Sequence, residues 1–222
     1  MISLFKLDNL TEEPLKVGII NVGTSSLSGT DPNIFSLIQE ASTSGEHDIV
    51  VAPEYSFLPP PGPLQVPELS DYLQLFKESS NETLIIPGTF IWKEDGKLRN
   101  SCYAFYNGEI IHQHSKIKNG GEIKLAEKYG LQYQPGDSLR PFTWKGLKLG
   151  IEICAEVESL ARSGVRDLDL VFLIACGMNR LEYSMAAVHQ KGYGVLADGD
   201  SKFYFAGDRA EFLKRRKKRL GF

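Results

Sequence analysis

Three side chains that could carry out nucleophilic chemistry each follow a predicted buried strand. Glu54 ends the segment DIVVAPE, Lys116 follows EIIHQHS, and Cys154 ends KLGIEIC. In α/β proteins, functional residues collect beyond the carboxyl ends of strands, where loops vary while the scaffold stays fixed. A cysteine attacks a carbonyl carbon as its thiolate, which a neighbouring base can generate. Glu54 could be that base, and Lys116 could stabilise the thiolate and the developing oxyanion.

Each of these residues, taken alone, also has an ordinary structural interpretation. A single cysteine after an apolar strand is more often a small buried hydrophobic residue than a nucleophile. A glutamate at a strand end is often a loop carboxylate, and Lys116 with Lys118 could form a solvated face. The chemical interpretation therefore depends on the residues that flank the three.

The elements that must position these residues alternate between short β-rich runs and amphipathic stretches. This pattern predicts a mixed α/β domain with helices covering packed sheets. Asn107-Gly108 and Lys145-Gly146 are predicted hairpin turns, and residues 57–67, with five of the eleven prolines, predict an irregular loop. Helices are predicted from Asp31 as N-cap, over 68–79, after Cys154, over 182–190 and over about 208–222. Strands are predicted over 17–22, 48–53, 83–91, 101–106, 109–114, 139–144, 147–153, 169–175, 193–197 and 202–206.

The flanking residues resemble the motifs of the nitrilase superfamily of carbon–nitrogen hydrolases. The block from Pro87 to Glu122 contains, in the family's order, Gly88-Thr89, Asn100-Ser101, a hairpin and Lys116. DIVVAPE resembles the family's strand that ends in Pro-Glu. PGDSLRPFTWKGLKLGIEIC resembles its Pro-Gly-Asp segment and the strand that delivers the nucleophilic cysteine. The likeness covers about residues 16–154 and continues weakly to about residue 200.

The resemblance implies a four-layer α-β-β-α sandwich and a Glu-Lys-Cys catalytic triad, which in this chain is Glu54, Lys116 and Cys154. It implies a hydrolase that cleaves a non-peptide carbon–nitrogen bond in a small molecule through a thioester acyl-enzyme. An amide or carbamoyl amine is the expected substrate rather than a nitrile. The resemblance calls for no metal and no organic cofactor, and it implies a homodimer or a larger homo-oligomer.

Three further residues are candidates for substrate binding. The family has a second glutamate shortly after the lysine, which helps to position substrate, and Glu122 is the nearest match. A surface position in the loop after Gly120-Gly121 is an equally open interpretation of Glu122. The backbone N–H of Ala155 would help to hold the oxyanion. Tyr55 neighbours the predicted base and could line the pocket, although aromatic residues at strand ends are more often packing residues.

The segment after the nucleophile departs from the family pattern. Cys154 is followed by Ala-Glu-Val-Glu-Ser, without the family's Arg and Pro-Glu, so the pocket wall is expected to differ and the family's substrates do not carry over. Glu152 alternates onto the same side of the strand as Cys154. An unpaired carboxylate there would raise the thiol pKa, whereas a Glu152 bonded to a loop would not. The chain is also shorter than most family members. The alternative function is therefore a degenerate member that binds a small molecule or a partner without turnover.

Composition limits the remaining classes of protein. The 222 residues are 42% apolar and 24% charged, which suits a single folded domain over 1–222. A formal net charge of −3 gives no argument for nucleic acid or membrane as the main partner. Six basic residues form one run, Lys214–Arg219, at the end of the predicted basic helix. We favour a solvated helix end for this run over contact with nucleic acid or an anionic surface.

Cysteine and histidine usage gives the remaining expectations. The sparse, odd set Cys102, Cys154 and Cys176 fits a reducing compartment, and the N-terminus lacks the pattern of a signal peptide. We therefore expect a cytoplasmic protein. No apolar run approaches the roughly 20 residues that span a bilayer. His112 and His114 alternate on one strand face without an evident third ligand, so a structural role is favoured over a metal site.

Overall fold

A computed structural model describes residues 1–24, 31–178, 180–200, 203–210 and 212. The helices that position the site are α1 (Ile34–Thr43), α2 (Val66–Ser79), α3 (Glu122–Lys128), α4 (Ser159–Arg162) and α5 (Leu181–Ser184). Two 3-10 helices cover Cys154–Glu156 and Met185–Ala187. The strands are β1 (Ile2–Leu7), β2 (Leu15–Ile20), β3 (Ile49–Val51), β4 (Leu64–Gln65), β5 (Leu84–Ile86), β6 (Thr89–Glu94), β7 (Lys97–Tyr106), β8 (Glu109–Ser115), β9 (Gln132–Tyr133), β10 (Phe142–Trp144), β11 (Leu147–Ile153), β12 (Leu168–Ala175), β13 (Val188–Asp198) and β14 (Phe203–Asp208).

In the described part of the chain, the strands form two sheets, of nine and five strands. The larger has nine strands, in which β1-β2-β3-β5-β7-β6-β4 are neighbours and β8 and β9 also pair with β7. The smaller has five strands in sequence order from β10 to β14. The centres of both sheets are parallel, with β2-β3-β5 in the larger and β11-β12-β13 in the smaller. The paired residues of these parallel strands are mainly apolar and buried, as expected for strands covered on both faces.

The sheets face each other across the main core, and helices cover their outer faces. Apolar residues of β2, β3 and β5 share one buried cluster with those of β11 and β12. A second cluster lies between the larger sheet and helices α1 and α2, with Ile38 and Phe76 fully buried against it. On the smaller sheet, Gly150 leaves room for Leu160 of α4, because a Cβ at Gly150 would lie 2.7 Å from Leu160 Cδ1. The chain therefore has the predicted four-layer α-β-β-α sandwich.

Both predicted hairpins are present, at the predicted turns. Asn107 and Gly108 have φ of 52° and 78°, and Lys145 and Gly146 have φ of 47° and 79°. Two successive residues with positive φ are the requirement of the tight hairpin turn that matches the twist of a β-ribbon. The turns join β7 to β8 and β10 to β11 as antiparallel pairs.

Several element predictions are wrong in detail. Helix α1 begins at Ile34 with Asn33 as N-cap, while the Asp31 carboxylate accepts a 2.9 Å hydrogen bond from the Asn33 N–H in the turn before it. The predicted strand 83–91 is two strands, because Gly88 has a φ of 84° and breaks the run between β5 and β6. The predicted helix 182–190 ends early. Val188 starts β13, whose parallel pairing with β12 overrides the local amphipathic pattern.

Two predictions concern residues outside the described part of the chain. The run Lys214–Arg219 lies wholly outside it, and so does most of the predicted basic helix at about 208–222. Within the described residues, no helix is both long and apolar enough to cross a bilayer.

Candidate active site

Glu54 lies in the turn that follows β3 and is fully buried. The Gly-Thr motif, where the chain passes from β5 to β6, fixes this turn. Thr89 Oγ1 accepts a 2.9 Å hydrogen bond from the Tyr55 N–H. Gly88 approaches so closely that a Cβ there would lie 2.1 Å from the Pro53 carbonyl oxygen. The Glu54 N–H donates to Ala175 O at 3.3 Å, which links the turn to the end of β12 in the other sheet.

Lys116 directly follows β8 and is also fully buried. Its carbonyl oxygen accepts hydrogen bonds from Tyr133 Oη at 2.6 Å and from the Gly136 N–H at 3.0 Å. Gly136 belongs to the Pro-Gly-Asp segment, and a Cβ there would lie 2.0 Å from Ser115 O. The glycine of that motif is therefore required by the close approach of two backbones beside the lysine.

Cys154 directly follows β11 and is the first residue of the next 3-10 helix. Its φ is 49°, in the left-handed region that non-glycine residues seldom adopt. Such backbone strain persists only where the surroundings impose it, and it concentrates at functional sites. The thiol donates a long, 3.7 Å hydrogen bond to Cys176 O, just beyond β12, and the residue is 8% exposed. The nucleophile candidate and Glu54 are thus both anchored to the end of the same strand.

The structure brings the three predicted triad residues together with Glu122. Lys116 Nζ lies 2.7 Å from Glu54 Oε1 and 2.5 Å from Glu122 Oε1. Asn100 Nδ2 donates to the same two oxygens, at 2.9 Å and 3.1 Å. Glu54 Oε2 is buried without a hydrogen-bond partner of ordinary geometry. The Cys154 thiol lies beside the Glu54 carboxyl, and each of the two groups affects the pKa of the other.

Burial shifts the protonation of the Glu54–Cys154 pair. Burial raises the pKa of Glu54 to about 7, with the positive charge of Lys116 opposing this and the negative charge of Glu122 adding to it. Burial and the neighbouring Glu54 carboxylate raise the pKa of the Cys154 thiol well above its ordinary value, with Lys116 opposing. At neutral pH the thiol is therefore protonated beside a carboxyl that is ready to accept its proton.

The Lys116–Glu122 pair is held in its charged form. Burial by itself would lower the pKa of Lys116, but the two nearby carboxylates outweigh it and the pKa lies above its ordinary value. Burial would likewise raise the pKa of Glu122, but Lys116 and the Gly120 N–H keep that pKa below its ordinary value. The site therefore holds a fixed ammonium, which is suited to stabilising a developing oxyanion.

The three substrate-binding candidates surround this cluster. Glu122 is fully buried at the start of α3, so the interpretation as a surface residue is wrong. Tyr55 Oη donates to Glu122 Oε1 at 3.0 Å, which makes Tyr55 a support of the cluster. Ala155 is half-buried beside Gly120, where an added Cβ would lie 3.2 Å from Ala155 Cβ and 3.1 Å from Lys116 Nζ.

Glu152 is bonded to a loop. One of its oxygens accepts the Leu160 N–H at 2.7 Å, and the other accepts the Glu158 N–H at 3.0 Å and the Ser184 hydroxyl. Burial raises the pKa of Glu152 to about 7. Its role is to fix the start of α4 behind the nucleophile turn, and Glu54 is the carboxylate that raises the thiol pKa.

The other histidines and cysteines have structural contacts. His112 stacks on Phe142 with ring centroids 4.4 Å apart, and burial lowers the pKa of His112 to about 4. His114 Nε2 lies 2.7 Å from Glu156 Oε2. Cys102 is buried in β7, and the Cys176 thiol donates to Thr24 O at 3.3 Å. Among the residues that the structure describes, no cluster of three or more His, Cys, Asp or Glu side chains could hold a metal ion.

Comparison with known proteins links this architecture to solved structures. No protein-family model and no curated protein sequence matches the chain. An amidase from Nesterenkonia sp. AN1, solved with acrylamide added at its active-site cysteine, aligns with a TM-score of 0.66 and 14% identity. That alignment covers 88% of this chain and 86% of the amidase. Nit3 from Saccharomyces cerevisiae, a member of branch 10 of the nitrilase superfamily, aligns with a TM-score of 0.56 and 16% identity over 92% and 93% of the two chains.

The chain has the nitrilase-superfamily fold. A third solved structure, the glutamine-dependent NAD+ synthetase of Acinetobacter baumannii, aligns with a TM-score of 0.56 and 19% identity over 73% of this chain. The match spans only 32% of the synthetase. At identities this low, the likeness concerns the carbon–nitrogen hydrolase fold itself.

Sequence reasoning missed two residues that this nitrilase fold brings to the site. Asn100 was quoted only as part of the Asn-Ser motif and was not named as a site residue. In the structure its side-chain amide donates hydrogen bonds to both Glu54 and Glu122. Glu156 belongs to the Ala-Glu-Val-Glu-Ser segment that follows Cys154, and its carboxylate accepts hydrogen bonds from backbone on both sides of the site. In both cases the motif position was the available signal. The partners of Asn100 and Glu156 lie 22 to 46 residues away in sequence, apart from the local contact to Ile153.

Proposed function

We propose that the protein is a cysteine-dependent hydrolase of a non-peptide carbon–nitrogen bond in a small amide or carbamoyl amine. The observation that carries this proposal is the buried Glu54–Lys116–Glu122 cluster beside the Cys154 thiol. It supplies a base with a pKa near neutrality, a fixed positive charge and a nucleophile within one site. These are the groups that acyl transfer from an amide requires.

In the proposed first half-reaction, Glu54 accepts the Cys154 thiol proton as sulfur attacks the amide carbonyl carbon. The carbonyl π electrons move to oxygen, and Lys116 Nζ with the Ala155 N–H stabilises the resulting oxyanion. The intermediate then collapses, the carbon–nitrogen bond breaks, and protonated Glu54 gives its proton to the leaving nitrogen. Ammonia or an amine departs and a thioester on Cys154 remains.

In the proposed second half-reaction, Glu54 is ionised again and accepts a proton from a water molecule. The hydroxide attacks the thioester carbonyl, the same groups stabilise the second oxyanion, and the carbon–sulfur bond breaks. The proton returns to sulfur, and the carboxylic acid product leaves. Glu122 and Asn100 fix Lys116 and Glu54 throughout and do not exchange protons.

The test is release of ammonia or amine from a panel of short aliphatic amides and N-carbamoyl amines. We expect turnover by the wild-type protein and loss of turnover in Cys154→Ala. Cys102→Ala is the matched control, because Cys102 is a second buried cysteine that lies inside β7, and it should keep turnover. Circular dichroism should show that Cys154→Ala remains folded. Undiminished turnover by Cys154→Ala would overturn the proposal, and inactivity of the wild type across the panel would favour a binding protein instead.

A further inference from the structure

Glu156 connects the backbone on both sides of the site. Its Oε1 accepts a 2.6 Å hydrogen bond from the Ile117 N–H, the residue after Lys116. Its Oε2 accepts a 2.9 Å hydrogen bond from the Ile153 N–H, the residue before Cys154. The side chain is fully buried. One carboxylate thus binds the immediate neighbours of two triad residues.

These two neighbours belong to different sheets. β8, which precedes Lys116, pairs with β7 in the nine-stranded sheet. β11, which precedes Cys154, pairs with β10 and β12 in the five-stranded sheet. Strand pairing therefore fixes each residue within its own sheet, and contacts across the sheets set the distance between the lysine and the cysteine. Hydrogen bonds to an ionised acceptor are stronger than neutral ones, and Glu156 provides two of them to backbone donors.

His114 completes this arrangement from the larger sheet. Its imidazole Nε2 lies 2.7 Å from Glu156 Oε2, and the ring is buried. Since a carboxylate can only accept, Nε2–H is the donor. His114 lies on β8, two residues before Lys116, which directly follows that strand. The histidine and the Ile117 N–H therefore hold Glu156 against the larger sheet at two points, while Ile153 holds it against the smaller sheet.

We propose that Glu156 is a positioning residue that sets the distance between the Lys116 ammonium and the Cys154 thiol, and that His114 holds Glu156 in place. This proposal rests on the proposed function, because it assigns Glu156 to the same reaction. Glu156 is fully buried, and it acts through the backbone beside Lys116 and Cys154. Misplacement of reacting groups by about 1 Å can cost about 10²-fold in rate.

The experiment compares Glu156→Gln, His114→Leu and His114→Gln with wild type. Glutamine at 156 has a single acceptor oxygen, so it loses either the hydrogen bond from the Ile117 N–H or those from the Ile153 N–H and His114, and its NH2 group then faces a donor. We expect kcat per reactive Cys154, counted by iodoacetamide titration, to fall about 10²-fold in Glu156→Gln with KM changed less than about threefold. His114→Leu should lose about tenfold, and His114→Gln, which keeps a donor, should recover most of that loss.

The matched control is His189→Leu. His189 Nε2 lies 2.8 Å from Asp169 Oδ1, a histidine–carboxylate pair of the same length that is remote from the triad and partly exposed. His189→Leu should keep wild-type kcat per site. A purely stabilising role for Glu156 would lower the melting temperature and the number of reactive sites but leave kcat per site unchanged, and that result would overturn the proposal.

A second readout keeps this test separate from the proposed function. If the wild type turns over none of the amides, the rate constant for alkylation of Cys154 by iodoacetamide at pH 7 replaces kcat. Alkylation depends on the same placement of sulfur beside Glu54 and Lys116, so Glu156→Gln should slow it about tenfold while His189→Leu does not. Equal alkylation rates in Glu156→Gln and wild type would overturn the role of Glu156, whatever the substrate.

Discussion

Lys116 Nζ lies 2.7 Å from Glu54 Oε1, and both side chains are fully buried. A single ammonium here serves two carboxylates, because Glu122 is equally close. Glu122 also accepts the Tyr55 hydroxyl, the Asn100 amide and the Gly120 N–H. Glu54 Oε1 accepts hydrogen bonds from Lys116 and Asn100, and among the described residues its Oε2 has no donor of ordinary geometry. The environment thus pushes the two pKa values apart and leaves Glu54 as the carboxyl that can exchange a proton.

The first prediction concerns the pH dependence of turnover. The Glu54 pKa is raised to about 7, so below that pH the carboxyl is increasingly protonated and cannot accept the thiol proton. We expect kcat/KM for an amide substrate to rise with pH through about 7 and to fall about tenfold per pH unit on the acid side. Initial rates between pH 5 and 8 measure this. A kcat/KM that is constant over that range would contradict the assignment of Glu54 as base.

The second prediction concerns Asn100. Asn100→Leu keeps the branching at Cγ but removes the N–H that donates to Glu54 Oε1. The carboxylate form of Glu54 loses a stabilising donor, so its pKa should rise and the acid limb of kcat/KM should move to higher pH. The main effect should be on the pH midpoint of the acid limb, with a smaller effect on the limiting kcat/KM at higher pH. An acid limb that stays in place, or moves to lower pH, would show that Asn100 does not support the base.

The third prediction concerns the space beside the oxyanion site. A Cβ on Gly120 would lie 3.1 Å from Lys116 Nζ and 3.2 Å from Ala155 Cβ. Gly120→Ala should therefore shift both groups by a few tenths of an ångström and lower kcat/KM by roughly tenfold. Adding Ala155→Gly removes one of the two contacts, so the double variant should regain part of the loss. Wild-type activity in Gly120→Ala would mean that the close packing of Gly120 against Lys116 and Ala155 does not position the reacting groups.

The fourth prediction concerns stability and Glu152. The folded-state pKa of this carboxyl is raised to about 7 by burial, above its value in the unfolded chain. Its contribution to stability is therefore fully present below about pH 4.5 and is lost as pH rises through about 7. Glu152→Gln lacks this dependence. The melting temperature of wild type relative to Glu152→Gln should thus be highest near pH 5 and lower at pH 8. The corresponding change in the relative free energy of unfolding is on the order of 3 kcal/mol. A pH-independent difference would contradict the raised pKa.

Much of the site was predictable because its residues follow buried strands at fixed motif positions. Glu54, Lys116 and Cys154 converge because β3, β8 and β11 end at the same edge of the two facing sheets. Asn107-Gly108 was predictable as a turn because its backbone requires positive φ at both residues. These signals are local in sequence and need no knowledge of the packing.

Other features depend on contacts between distant segments. Asn100 lies within a strand, and its partner Glu54 is 46 residues away. The strand β1 was not predicted, because its short sequence carries no turn or motif signal and its conformation is set by antiparallel pairing with β2. The predicted helix at 182–190 failed for the same reason, since the parallel register of β13 with β12 decides the conformation from Val188 onward. Local pattern is a weak guide wherever sheet pairing supplies most of the stabilisation.

The central claim is that Glu54 activates the Cys154 thiol, and alkylation of the cysteines by iodoacetamide across pH measures it directly. Intact mass and peptide mapping resolve Cys154 from Cys102 and Cys176. In the wild type we expect Cys154 to be labelled first at neutral pH, with a rate that rises through about pH 7 as Glu54 ionises. In Glu54→Gln the labelling of Cys154 should be slow until strongly alkaline pH, because burial alone keeps the thiol protonated. Equal rates for Cys154 in the two proteins, or labelling no faster than that of an ordinary thiol, would contradict the claim.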